Sequence, residues 1–85
     1  YEMVKAKIEL DPTWDVDALL DGFAARQAAH IPLTVDGVKL DLAEGWVHLR
    51  KSNTEPIVRV YAEAASPEAA LNLVDTYKKD LLSGA

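Results

Sequence analysis

The 85-residue sequence contains no cysteine, and that absence excludes several kinds of site. Disulfide frameworks, thiolate zinc sites and thiol nucleophiles all require cysteine. Histidine is scarce as well, because His30 and His48 are the only two residues of this type. Two histidines are too few for a metal centre built from that residue. The sequence therefore predicts neither a metal site nor redox chemistry in this chain.

Long apolar runs and an excess of basic residues are also lacking. No segment has the length of a membrane span or the pattern of a signal peptide, so we expect a soluble, cytoplasmic protein without a membrane partner. Asp and Glu number 14 against 9 Lys and Arg, which gives a net charge of −5. This balance argues against a nucleic-acid partner, whose binding needs clustered basic residues. Any anion site must be local.

The length and the hydrophobic patterns predict a single domain covering residues 1–85. Alternating apolar residues predict strands at residues 4–10, 38–42, 46–50 and 57–64. Helical spacing after Asp11 and Pro12 predicts a first helix with Asp15 and Asp17 in its first turn. This helix runs to about Ala29 and is broken at Ile31-Pro32. Ser66 as N-cap and Pro67 at the first helical position predict the start of a second helix.

The order β-α-β-β-β-α predicts an α+β fold. The simplest arrangement that buries the apolar faces is a two-layer sandwich, in which a four-stranded, mainly antiparallel sheet carries both helices on its apolar face. Strand alternation points Val47, Leu49, Val58 and Val60 toward the helices. The opposite face then carries Trp46, His48, Arg50, Arg59, Tyr61 and Glu63. We expect function on that second face.

The loop between the last two strands has the composition of an anion site. It reads Arg50-Lys51-Ser52-Asn53-Thr54-Glu55-Pro56. A phosphate monoester is best held by one guanidinium that pairs with two of its oxygens, together with several small donors. Arg50, Ser52, Asn53 and Thr54 supply that set. The alternative is an ordinary hairpin connection, because Ser, Asn, Thr and Pro are common turn residues.

Residues 36–64 resemble the C-terminal domain of the α-D-phosphohexomutases, the phosphoglucomutase and phosphomannomutase family. The shared features are the Asp36-Gly37 turn, the Gly45-Trp46 strand start, the R-x-S-N/G-T-x-P loop and the strand at Arg59-Val60-Tyr61. This resemblance implies a TATA-box-binding-protein-like fold. It also implies that the chain is the C-terminal domain of a larger, four-domain enzyme.

The resemblance further implies an activity for the parent enzyme and a role for this domain. Such enzymes interconvert hexose 1-phosphate and hexose 6-phosphate by intramolecular phosphotransfer, with Mg²⁺ and a hexose bisphosphate intermediate. Arg50, Ser52, Asn53 and Thr54 would bind the phosphate that is not being transferred, and Arg59 would be a second arginine for it. The phosphorylated serine and the magnesium ligands of the family have no counterpart here, so no catalytic residue is predicted and the chain alone should be inactive.

Other interpretations remain open at the level of sequence. Lys5, Lys7, Lys39 and Arg59 also suit a non-enzymatic interaction module, whose charged sheet face docks a protein partner. Trp46 and Tyr61 either stack on a sugar or contact a neighbouring domain. Asp15, Asp17 and Asp21 fit a solvated helix start better than a cation site. The preferred sugar is not determined, because the specificity loop of the family lies outside this chain.

Overall fold

The computed structural model describes residues 2–30, 37–52 and 55–83, and within them it has the predicted α+β order. The strands are β1 (Glu2–Glu9), β2 (Val38–Asp41), β3 (Gly45–Lys51) and β4 (Ile57–Ala64). The helices are α1 (Val16–Arg26) and α2 (Pro67–Leu82), and a short 3-10 helix, Ala28–His30, follows α1.

The strands form one antiparallel sheet with the order β1-β4-β3-β2. Strands β2, β3 and β4 are a meander, and β1 pairs with the remaining edge of β4. At the start of β3, Gly45 has a φ of +153°, and a Cβ there would overlap the carbonyl oxygen of Glu63. Glycine therefore permits the close β3–β4 pairing at this end of the sheet.

Both helices cover one face of the sheet, as the alternation predicted. Val47, Leu49, Val58 and Val60 have no solvent exposure. Phe23 of α1 and Leu81 of α2 are fully buried with them. The Phe23 ring also meets the ring of Tyr77 edge to face, with 6.0 Å between centroids, so the helices pack on each other as well as on the sheet. Within the described part of the chain, no helix lies on the opposite sheet face.

Helix α2 starts at the predicted Ser66 cap, whereas Asp15, predicted to lie in the first turn of the first helix, is the N-cap of α1. The end of α1 also comes earlier than expected. The Asp15 carboxylate accepts the Ala18 N–H at 3.0 Å, and the Ser66 hydroxyl accepts the Ala69 N–H at 3.1 Å. The predicted first helix reached about Ala29, whereas α1 stops at Arg26. Ala28 and Ala29 are exposed, so no burial in the core holds a further α-helical turn there, although alanine itself favours the α-helix.

Two predicted turn features lie outside the described residues: the Ile31-Pro32 break and Asp36 of the Asp36-Gly37 turn. Gly37 is described, and its φ of +94° is in the region that favours glycine. Among the described residues, no helix has the length and apolar character needed to cross a membrane.

Candidate functional site

The strand register places two arginines side by side on the helix-free face. Arg50 of β3 lies directly opposite Arg59 of β4, and Lys7 of β1 lies opposite Arg59 on its other side. All three side chains are exposed. Like charges at directly opposite positions destabilise a sheet. These three cations nevertheless lie next to one another, in a chain whose net charge is −5. We call Lys7, Arg59 and Arg50 the basic row.

An open pocket of about 230 Å³ lies at the loop end of this row. Its lining residues are Arg50, Lys51, Ser52, Arg59 and Tyr61. Ser52 is half-buried, and its backbone N–H donates to the carbonyl of Ile57 at 3.1 Å. This bond continues the β3–β4 pairing past the end of β3, so the sheet itself holds Ser52 beside the arginines.

Three of the residues predicted to bind phosphate are thus brought together: Arg50, Ser52 and Arg59. The other two, Asn53 and Thr54, lie outside the described residues. Alternation along the strands predicted that Arg50 and Arg59 share a face, and they do. Two further residues line the same pocket: Lys51, which was not predicted to take part in the site, and Tyr61, for which a sugar contact was one of two alternatives.

Lys51 reaches the pocket from the helix side. It pairs in register with the buried Val58, and its Nζ donates to both carboxylate oxygens of Asp17 at 2.9 and 3.1 Å. The ion pair joins the end of β3 to the first turn of α1. Both side chains are substantially exposed, so its contribution to stability is about 1 kcal/mol or less. Its structural effect is to position the entry of the loop.

Trp46 lies at the far end of the same sheet face and has polar partners of its own. The Trp46 indole Nε1 donates to the Glu63 carboxylate at 3.3 Å, and the Lys39 Nζ lies 5.3 Å from the centroid of the Trp46 ring. Between Trp46 and the pocket lies His48, whose ring centroid is 6.3 Å from that of the pocket residue Tyr61, with the planes tilted by 38°. The two aromatics singled out from the sequence, Trp46 and Tyr61, therefore have different surroundings.

The acidic residues at the start of α1 have structural partners. Asp15 caps the helix, and Asp17 pairs with Lys51. Across residues 2–30, 37–52 and 55–83, no three Asp, Glu, His or Cys side chains are grouped so as to hold a metal ion. The pocket, by contrast, is lined by cationic and hydroxyl side chains, which suit an anion.

Comparison with known proteins extends the resemblance seen in the sequence. Residues 3–79 match the family described as phosphoglucomutase/phosphomannomutase, C-terminal domain. A phosphoglucosamine/phosphogalactosamine mutase from Sulfurisphaera tokodaii is 39% identical over 83 residues, covering 93% of this chain and 18% of that protein. A phosphoglucomutase/phosphomannomutase from Thermococcus kodakarensis is 51% identical over 37 residues, covering 44% of this chain and 8% of that protein.

This chain thus spans less than a fifth of the length of the relatives it matches. The family match nevertheless takes in every described strand and helix except the ends of β1 and α2. The sequence-based recognition of the family is confirmed. The chain belongs to the family of phosphoglucomutase/phosphomannomutase C-terminal domains.

Proposed function

We propose that this chain anchors the substrate phosphate in a phosphohexomutase, an enzyme that interconverts hexose 1-phosphate and hexose 6-phosphate by intramolecular phosphotransfer. The observation that carries the proposal is the direct cross-strand pairing of Arg50 and Arg59 beside Ser52. A bound phosphate dianion would relieve the repulsion between the two guanidinium groups.

The chemistry of the pocket fits a phosphate monoester. Such a group presents three strong acceptor oxygens, and arginine pairs with two of them at once. The Ser52 hydroxyl adds a neutral donor, and we assign further donors to Asn53 and Thr54, which follow it in the chain. Charge-assisted hydrogen bonds contribute roughly 1.5–3 kcal/mol each, while association costs several kcal/mol. We therefore expect a dissociation constant on the order of 1 mM for a hexose phosphate.

In the reaction, this domain's task is to hold one phosphate while the other is transferred. A fixed phosphate positions the sugar, and positioning with electrostatic stabilisation supplies most of the catalysis of phosphoryl transfer. We assign the phosphorylated serine and the sugar-specificity loop to other domains of a four-domain parent chain. We also propose that the parent is cytoplasmic, because hexose phosphates are charged metabolites that membranes retain.

The parent enzyme is expected to use Mg²⁺, which would neutralise charge on the phosphate being transferred. The described residues of this chain hold no group of three potential ligands for such an ion. The metal site is therefore also assigned to another domain. The hexose bisphosphate intermediate would turn over in the parent's active site, and either of its phosphates would fit the same cationic pocket.

An amide NMR titration of the 85-residue chain with inorganic phosphate and glucose 6-phosphate tests this proposal. We expect saturable shifts at Arg50, Ser52 and Arg59, and a loss of at least about tenfold in affinity for Arg50→Ala, since one tenfold step equals about 1.4 kcal/mol. Lys78→Ala, which removes an exposed lysine of α2, is the matched control for net charge and should bind normally. Equal affinities for wild type and Arg50→Ala would contradict the anchoring role.

A second candidate function is supported by the cations that extend beyond the pocket. Lys5 and Lys7 of β1 are exposed on the same face as Arg59, opposite Tyr61 and Arg59 in register. A protein partner with an acidic surface could dock on this wider area. The titration separates the two candidates, because a docking face alone would give no saturable response to phosphate.

A further inference from the structure

We infer that Tyr61 contacts the sugar ring of the anchored substrate and that His48 holds the Tyr61 ring in place for this contact. The inference rests on the proposed phosphate site, and it adds a sugar-recognition role for the same pocket. Tyr61 is the aromatic residue that lines the pocket together with Arg50, Ser52 and Arg59. It thus belongs to the anion site by position, although it brings no charge to it.

The distance from the arginines to Tyr61 suits a hexose phosphate. Tyr61 follows Arg59 by two residues on the same strand face, so it lies about 7 Å further along β4. The pocket extends from the loop end of the sheet to this side chain. A phosphate held between Arg50 and Arg59 would therefore place the attached ring over Tyr61, in the direction that leads away from the loop.

Tyrosine has the surface that a hexose requires. The flat apolar ring face can pack on sugar C–H groups, and the phenolic hydroxyl can both donate to and accept from sugar hydroxyls. Tyr61 is half-buried, so neighbouring groups already restrict its ring while one side stays open to the pocket. A ring that is ordered before binding loses little entropy when it contacts the ligand.

His48 supplies part of that restriction. It lies directly opposite Tyr61 in the β3–β4 register, and the two rings are 6.3 Å apart at their centroids. His48 is itself half-buried and is not among the residues that line the pocket. We therefore assign it a positioning role, in which its ring packs beside Tyr61 and limits the rotation of the phenol.

Trp46 is the other aromatic residue on this face, and its surroundings argue against a sugar contact. Its indole N–H donates to Glu63, and the Lys39 ammonium lies over its ring. On β3, Trp46 precedes His48 by two residues and is therefore further from Arg50 on the same face. It does not line the pocket. It therefore serves as a matched aromatic control on the same sheet face.

The test compares three ligands, inorganic phosphate, glycerol 3-phosphate and glucose 6-phosphate, by amide NMR titration. Tyr61→Thr replaces the aromatic ring with a β-branched side chain that also suits a strand, and we expect it to weaken glucose 6-phosphate binding about three- to tenfold. Affinities for the two ligands without a sugar ring should stay within about twofold of wild type, because the charged contacts remain. Trp46→Thr should leave all three affinities unchanged.

Further variants distinguish the effect of the Tyr61 ring from that of its hydroxyl group. They also distinguish the sugar contact of Tyr61 from the packing of His48 beside it. Tyr61→Phe keeps the ring and should retain most of the affinity for glucose 6-phosphate. His48→Ala should lose part of it, whereas His48→Phe, which restores a packed ring, should recover it.

Equal losses for all three ligands in Tyr61→Thr would overturn the inference, because Tyr61 would then only shape the anion site. An unchanged affinity for glucose 6-phosphate would overturn it too, while the phosphate anchor would stand. Failure of wild type to bind inorganic phosphate would instead refute the proposed function, and the sugar contact with it. A dispersed amide spectrum of each variant checks that the fold is intact.

Discussion

At the scale of the residue, the basic row places three like charges next to one another. Arg59 has a cation on each side, Lys7 on β1 and Arg50 on β3. Opposite-charge partners at these positions would stabilise the sheet, whereas like charges at opposite positions cost roughly 0.2–1 kcal/mol. Functional sites commonly retain such unfavourable groupings, and phosphate binding would explain this one.

The repulsion within the basic row predicts that one substitution has opposite effects on stability and on phosphate binding. Arg59→Thr should raise the free energy of unfolding by roughly 0.2–1 kcal/mol at low ionic strength, because threonine suits a strand and two repulsions disappear. The same change should weaken phosphate binding. Urea unfolding measured at low and at high salt checks the first effect, since salt should screen the gain. A less stable Arg59→Thr at low salt would show that repulsion in the row is not significant.

At the scale of the element, the predictable features are those with local causes. Strand β4 has the predicted bounds, because its alternating pattern lies between Pro56 and the Ser66-Pro67 helix start. Alternation also predicted that Arg50 and Arg59 share a face. The end of α1 was less predictable. Arg26 and Gln27, at this end, both donate to Asp80 of α2, which lies more than 50 residues away in the sequence.

The pocket, too, could be predicted from the sequence only in part, because non-local contacts bring its residues together. Alternation determines which sheet face a side chain lies on, but the β3–β4 register determines that Arg50 and Arg59 are directly opposite. The contribution of Lys51 depends on a partner 34 residues away, Asp17 of α1. The pairing of β1 with β4 likewise joins the first and the last strand of the chain, a non-local contact that a periodic pattern cannot specify.

Helix α2 carries a titratable group whose ionisation should affect stability. Burial raises the pKa of Tyr77 above its ordinary value, and the nearby carboxylates of Glu44 and Asp80 raise it further. The folded-state pKa thus exceeds the unfolded one. The stabilising effect of neutral Tyr77 is complete below the unfolded pKa, near 10, and is lost as the pH rises through the folded pKa.

Wild type should therefore lose more stability than Tyr77→Phe as the pH rises above about 10. Thermal unfolding of both proteins from pH 8 upward checks this, since lysine deprotonation affects the two alike. The phenylalanine keeps the edge-to-face contact with Phe23, which isolates the effect of the hydroxyl. Parallel melting curves through the alkaline range would show that Tyr77 titrates equally in the folded and unfolded states.

At the scale of the whole molecule, the two layers divide stability from function. The helix layer and the inner sheet face form one core, in which Phe23, Leu40 and Leu81 are fully buried. The outer sheet face carries the basic row, the pocket and the aromatic side chains of Trp46, His48 and Tyr61. Because the core is closed on the helix side, the residues of the open face can change without disturbing its packing. The fold is thus a platform that presents a cationic pocket.

This division predicts that the 85-residue chain folds and binds phosphate without catalysing the mutase reaction. Its core is continuous between sheet and helices, which supports folding, while no described residue is assigned a nucleophilic role. Positioning accelerates phosphoryl transfer only when the reacting groups are also present. A coupled assay with glucose 1-phosphate should therefore give no turnover above the enzyme-free rate, at chain concentrations where the NMR titration shows bound phosphate. Turnover by the purified wild-type chain that disappears in Arg50→Ala would place the chemistry within this domain and refute the assignment of catalysis to other domains.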